Sequence, residues 1–217
     1  MEIKKVAVTI PAPQFQTSVF VIEGTAPYVQ HKFSQKARTQ IRATQEAGAQ
    51  AKKGKKREPR NFVADYEGSL YRSEQGAWYG LPASAFRNAL ISACRIVGFQ
   101  MTRAKLGAFI EADGYDREDH TPLIKITHGK PEHFEAMARN DNGSVDIRVR
   151  GRWQPGWKAE VRVRFDADMF SATDIANLLM RVGQQVGIGE GRPDSPNSAG
   201  LGWGLFKIVN ENEGSPT

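Results

Sequence analysis

Val186-Gly187-Ile188-Gly189-Glu190-Gly191-Arg192, followed shortly by Gly200-Leu201-Gly202-Trp203-Gly204, places six glycines between an expected helix and an expected last strand. Glycine at this density lets backbone amides approach a ligand closely and take positive φ at little steric cost. The loop leaves a helix C-terminus, where the macrodipole opposes anions. An anion held here therefore requires positive side chains, such as Arg192, or a nest of backbone amides. Dinucleotide loops run from a strand into a helix, and a P-loop ends in Gly-Lys-Ser/Thr; neither pattern is present.

The second chemical signal is charge. The chain carries 30 Lys/Arg against 24 Asp/Glu, a net charge of +6. Ten of the basic residues and two of the acidic ones fall between Lys32 and Arg60, a local charge of +8 that leaves the remainder at −2. The ten are Lys32, Lys36, Arg38, Arg42, Lys52, Lys53, Lys55, Lys56, Arg57 and Arg60. A near-neutral body with one basic arm points to a polyanion, most simply a nucleic acid.

Other chemistries are disfavoured. Four scattered His and one Cys have no zinc spacing, and Asp113 to Asp119 lacks the regular oxygen ligands of a calcium loop. No metal or cofactor is expected. Cys94 is the only cysteine, which rules out an intrachain disulfide and fits a reducing, cytoplasmic setting. The apolar runs are too short to span a bilayer or to form a secretory signal. The 217 residues, 40% hydrophobic with eleven Phe, suffice for one domain over 1–217 with large insertions.

The elements that must position these groups follow from periodicity. Ile3–Ile10 and Phe15–Ile22 read as strands, with Phe15, Thr17, Val19 and Val21 on one face, and Tyr28-Val29-Gln30 extends the second. Arg42 to Arg60 lacks large apolar residues and reads as a mobile loop or hairpin. Pro82 opens a helix with Phe86, Leu90, Cys94 and Val97 on its buried face and Gly98 as its cap. Glu111 to His120 reads as a solvated stretch inside an insertion over 111–144, with a short strand at Leu123–Ile126 and a short helix at Glu132–Arg139.

Val145 to Asp166 reads as a β-hairpin turning at Gln154-Pro155-Gly156. Its register sets Arg150 opposite Glu160 and Asp146 opposite Arg164. It also sets two like-charge pairs, Arg148 with Arg162 and Arg152 with Lys158, face to face, an arrangement that an overlying anion would relieve. Ser171-Ala-Thr-Asp174 begins a second helix with a capping-box pattern and a stripe of Ile175, Leu178, Leu179, Val182 and Val186. Trp203, Leu205 and Ile208 then enter the last strand. Stripped of insertions, the order is β–α–β–β–α–β, an α+β, ferredoxin-like (RRM-like) core.

A strand leading to a basic insertion, then Gly80-Leu81-Pro82-Ala83-Ser84-Ala85-Phe86-Arg87, then a closing helix, a glycine-rich loop with Arg192 and Gly200-Leu201-Gly202-Trp203-Gly204, resembles the repeat-associated (RAMP) RNA-binding superfamily of CRISPR effectors, especially its backbone subunits. The resemblance implies that Ser84 and Arg87 lie near an RNA backbone. It implies that Gly187, Gly189, Gly191, Arg192, Gly200 and Gly202 form the glycine loop, and that 32–60 is a thumb-like arm. It further implies a non-catalytic subunit that oligomerises along guide RNA, alone or beside other effector subunits.

Two alternatives stand beside this one. The first is a metal-independent endoribonuclease of the same superfamily, using Tyr28, His31 and Lys32 for acid–base work and charge stabilisation. The second is a phage-type single-stranded DNA-binding protein, which charge alone does not separate from an RNA binder. Phe33, Phe62, Tyr66 and Trp78 are available to stack on bases.

Overall fold

The aromatic and β-branched run from Phe15 to Ile22 suits a pleated, half-buried surface, and it forms strand β1 (Phe15–Gly24) in the computed structural model of the protein. The structure describes residues 10–32, 35–47, 59–139, 143, 145–195 and 200–209. After β1 come β2 (Tyr28–Gln30), α1 (Gln35–Ala47), α2 (Phe62–Gly68), β3 (Gly80–Pro82), α3 (Ala83–Ile96) and α4 (Met101–Gly107). They are followed by β4 (Ala108–Glu111), β5 (Gly114–Tyr115), β6 (Pro122–His128), β7 (Glu132–Arg139), β8 (Val145–Trp153) and β9 (Lys158–Asp166). The chain continues through α5 (Ala172–Arg181), a π-helical turn at Val182–Val186 and β10 (Phe206–Val209). The expected strand at Ile3–Ile10 lies outside the described residues except for Ile10, which is exposed coil. Lys52, Lys53, Lys55, Lys56, Arg57 and Phe33 also lie outside them.

Strands β10, β1, β9 and β4 lie side by side, each pair antiparallel. With α3 preceding β4 and α5 preceding β10, the core runs β–α–β–β–α–β in the spatial order fourth, first, third, second. This mixed α+β arrangement is compatible with a ferredoxin-like fold. β6 joins β9 beyond β4 and carries β3 and β5 with it. Ile22, Val161, Val163 and Phe165 face the helices and are fully buried with Phe86, Leu90, Ile175 and Leu179. On β1 the row Phe15, Thr17, Val19 and Val21 is the outward one, with Phe15 and Val19 exposed. α5 starts with the capping box that Ser171 and Asp174 spell out, and its stripe from Ile175 to Val186 is buried.

The expected hairpin does not form. β8 and β9 turn at Pro155-Gly156 but diverge into different sheets. β9 pairs with β1 on one side and with β4 and β6 on the other, whereas β8 pairs with β2 and β7 in a second, three-stranded sheet. The end of β1 enters the corner between them: the Gly156 amide donates to the Gly24 carbonyl at 2.8 Å, and the Gly24 amide donates to the Trp157 carbonyl at 2.8 Å. Tyr28 packs there against Trp153 and Trp157, with ring centroids 5.4 and 5.7 Å apart. Accordingly Arg148 does not oppose Arg162, nor Arg152 Lys158. β2 belongs to this second sheet instead of extending β1.

Other local expectations also change, in one case because a strand partner overrides local preference. Glu132–Arg139 is a strand, not a helix, because β8 offers it a full eight-residue register. The arm begins as a helix, since Gln, Lys, Ala and Arg are strong helix formers and Arg42 pairs with Glu46 at i,i+4. α3 ends at Ile96, so Val97 leaves the buried stripe and is exposed. The last strand starts at Phe206, leaving Trp203 in the turn before it. The stretch 111–120 is not simply solvated: Asp116 has no exposed surface.

Candidate nucleic-acid interface

All six loop glycines have φ between 65 and 79°, the left-handed region in which a side chain is strained. Four of them, Gly187, Gly189, Gly191 and Gly204, also lie too close to their neighbours for a side chain. A Cβ on Gly204 would sit 1.8 Å from the Ile188 carbonyl oxygen, and one on Gly189 would sit 2.6 Å from the Tyr28 ring and from the Val29 carbonyl oxygen. The two glycine segments thus lie against each other and against β2. Hydrogen bonds hold them: Glu190 N to Val29 O (2.9 Å), Ile188 N to Gly204 O (3.1 Å) and Gly204 N to Pro27 O (2.7 Å). Arg192 Nη1 donates to the Gly189 carbonyl at 3.1 Å, fastening the turn from within.

This loop forms one side of a cleft of about 760 Å³. α3 provides a second side. Ser84, Asn88 and Ser92, four residues apart and therefore on one helical face, all line it, and Arg95 of the same helix pairs with Asp194 at 2.9 Å. The third side comes from the second sheet and its neighbours: His31, Arg148, Ala136, Met137 and Tyr71, with Leu201 and Trp203 across from them. Phe134 meets Trp203 edge-on at 5.7 Å and carries the Arg152 guanidinium 4.4 Å from its ring centroid.

Two carboxylates, Glu190 and Asp194, line the cleft beside Arg148 and Arg192, and each is paired with an arginine: Asp194 with Arg95 and Glu190 with Arg150. Arg150, buried, donates through Nε to Glu190 at 2.5 Å, and His31 Nδ1 lies 3.8 Å from the same carboxylate. Burial, reinforced by the guanidiniums of Arg150 and Arg148, holds the His31 imidazole below its ordinary pKa against the opposing pull of Glu190. Arg192 has no carboxylate partner among the described residues.

Several candidate residues sit elsewhere. Lys32 is buried, its ammonium bonded to Asp116 at 2.6 Å and to Glu118 at 2.9 Å. It is a core ion pair and is removed from the phosphate-binding set. Arg38 pairs with Asp119, and Arg60 pairs with Asp146 at 2.5 Å while donating to the Ile147 carbonyl at 2.7 Å. The Lys36 backbone lies in α1. Arg87 does not line the cleft; it donates to the Lys105 carbonyl at 2.5 Å, and its guanidinium lies 5.3 Å from the Phe109 ring centroid. Gly191 lines the cleft, and Gly202 lies between Leu201 and Trp203, which also do. The Tyr28 phenol is buried, accepts from Gln30 Nε2 at 3.1 Å and is raised above its usual pKa by burial. The trio Tyr28, His31 and Lys32 therefore does not assemble as an exposed acid–base group. Sequence reasoning missed Asn88, Ser92 and Tyr71; the i+4 and i+8 spacing from Ser84 was the signal for the first two.

Among the described residues no helix is long and apolar enough to cross a membrane, and no group of three His, Cys, Asp or Glu side chains is placed to hold a metal. Neither a family model nor a curated protein matches the sequence. Among solved structures the chain is similar to one in the cryo-EM structure of the Type III-B Cmr-beta bound to cognate target RNA, with a TM-score of 0.52 and 8% identity. The match covers 90% of this chain but 59% of that one, so this chain accounts for only part of its neighbour's length. At that identity the likeness is one of fold.

Proposed function

We propose that this protein is a single-stranded RNA-binding subunit of a CRISPR-type ribonucleoprotein, and that the cleft between the glycine loop, α3 and β8 is its RNA site. The observation that carries the reading is the convergence of Gly189, Gly191 and Arg192 with Ser84, Asn88, His31 and Arg148 around one cleft. Arg148 and Arg192 meet phosphates with charge-assisted hydrogen bonds, and glycine-loop amides supply close neutral donors. Ser84, Asn88 and Ser92 offer hydroxyl and amide groups at the spacing of one helical face, suited to ribose 2′-hydroxyls. The fold likeness to a chain in an RNA-bound complex supports the same reading.

Assembly follows from the arm. Lys32 and Arg38 tie the start of the arm to the 116–119 turn, and the sequence beyond α1 carries Lys52, Lys53, Lys55, Lys56 and Arg57. Those five cations bind phosphates next to the neighbouring copy, so identical subunits add head to tail along one strand. Fluorescence anisotropy with a labelled single-stranded RNA tests the site. Arg148→Ala with Arg192→Ala weakens binding by about 1.5–3 kcal/mol for each charged hydrogen bond removed, whereas unchanged affinity removes the cleft from the site. Matched DNA separates the RNA reading from the DNA one.

A further inference from the structure

We propose that the face of the main sheet opposite α3 and α5 is a second single-stranded RNA site, in which a base stacks on Phe15 and Phe109 while the adjoining phosphate meets Arg164. This face lies across the sheet from α3 and is separate from the cleft. Thr17 and Phe109 both register with Arg164, and Val19 and Glu111 both register with Arg162, so all six side chains share the outward surface. The Phe15 and Phe109 rings meet edge to face at 5.9 Å. The Arg164 guanidinium lies 4.7 Å from one centroid and 5.6 Å from the other. From α3, Arg87 brings a second guanidinium to Phe109.

The charges on this face select the occupant. Arg162 is neutralised by Asp113, Glu160 at 3.1 Å and Glu111 at 3.9 Å. Arg164 and Arg87 have no carboxylate partner among the described residues; their charges rest on aromatic rings. Uncompensated cations are therefore confined to the aromatic end of the face, and Phe15 is 40% exposed there. An exposed ring (Phe15) and a half-buried one (Phe109) interleaved with arginine form a platform for bases joined by phosphates, because every base offers a π-face and the cation both stacks and pairs. The other end of the face, around Val19, carries the carboxylates Glu111, Asp113 and Glu160, which repel a phosphate and would be costly to cover with an apolar partner.

The test uses the full chain and a single-stranded RNA carrying 4-thiouridine. Photo-crosslinking joins the RNA to peptides containing Phe15 or Phe109. Affinity is measured in a protein already bearing Arg148→Ala and Arg192→Ala, so that failure of the cleft reading leaves this result legible. On that background Phe15→Leu with Phe109→Leu lowers affinity roughly 5-fold or more, the loss of about one base stack. The exposed Arg164→Glu does the same without touching the core, and covers the case in which the double variant fails to fold. Cross-links confined to other peptides, with unchanged affinity in Arg164→Glu, overturn the proposal. So does a change in particle mass without a change in RNA affinity, which would make the face a contact between copies.

Discussion

Of the arm's cations with described side chains, Lys32, Arg38, Arg42 and Arg60 each pair with a carboxylate of the same chain. In the glycine loop both carboxylates are taken by arginines from elsewhere, Glu190 by Arg150 and Asp194 by Arg95, and Arg192 is bonded to a neutral carbonyl. The arm's root thus uses its charge to hold the fold, whereas the loop holds itself by backbone bonds and leaves a guanidinium uncompensated. Cation density along a chain measures what a ligand could meet only after the internal pairs are subtracted.

The sharpest way to break this contrast is Asp116→Ala. Lys32 would then sit buried with only Glu118 as its partner, and losing one member of a buried pair costs about 3–5 kcal/mol. Denaturant unfolding checks it. If the arm's root is structural, stability falls while the folded protein keeps its affinity for a short RNA; unchanged stability would mean that the ammonium is not buried in solution.

The loop yields the next largest effect. Gly204→Ala places a Cβ onto the Ile188 carbonyl and costs about 2–4 kcal/mol through strain and overpacking. Gly202→Ala, with nothing within 4 Å of its Cβ, carries only the backbone term of about 1–2 kcal/mol. Thermal unfolding of the pair separates the two causes: equal losses would show that close packing is not what fixes the loop.

The smallest effect is one of pH. His31 has a folded pKa held below the ordinary 6.5, so below that pH the unfolded chain binds more protons than the folded one. Stability present above pH 6.5 is lost as the pH falls. A phosphate beside His31 favours the imidazolium, so RNA binding takes up a proton and strengthens over the same interval. His31→Gln flattens both trends; an unaltered binding profile in that variant places His31 away from the phosphate.

Legibility in the sequence followed the range of the interaction. The glycine loop and the Ser171–Asp174 capping box could be read because each is a local conformational demand met by residues a few positions apart. The partner of Lys32 lies 84 residues away, so nothing near it signalled burial. The strands β8 and β9 were recognisable, but their pairing was not: alternation defines a strand's faces, while its neighbours are chosen by β1, β2 and β7 from elsewhere in the chain. Ser84 and Arg87 were read from one motif, yet the helix turns them to different sides and only Ser84 lines the cleft.

The most direct measurement compares two variants on a single-stranded RNA short enough for one subunit and on a long one. One variant carries Arg148→Ala and Arg192→Ala; the other carries Ala at Lys52, Lys53, Lys55, Lys56 and Arg57. The cleft variant loses about a hundredfold or more in affinity for the short RNA. The arm variant keeps that affinity but loses cooperativity on the long RNA, where its log K against log [salt] flattens by roughly 0.7 per contact removed. An arm variant that abolishes short-RNA binding, beside a cleft variant that binds normally, would contradict the assignment of the cleft as the RNA site.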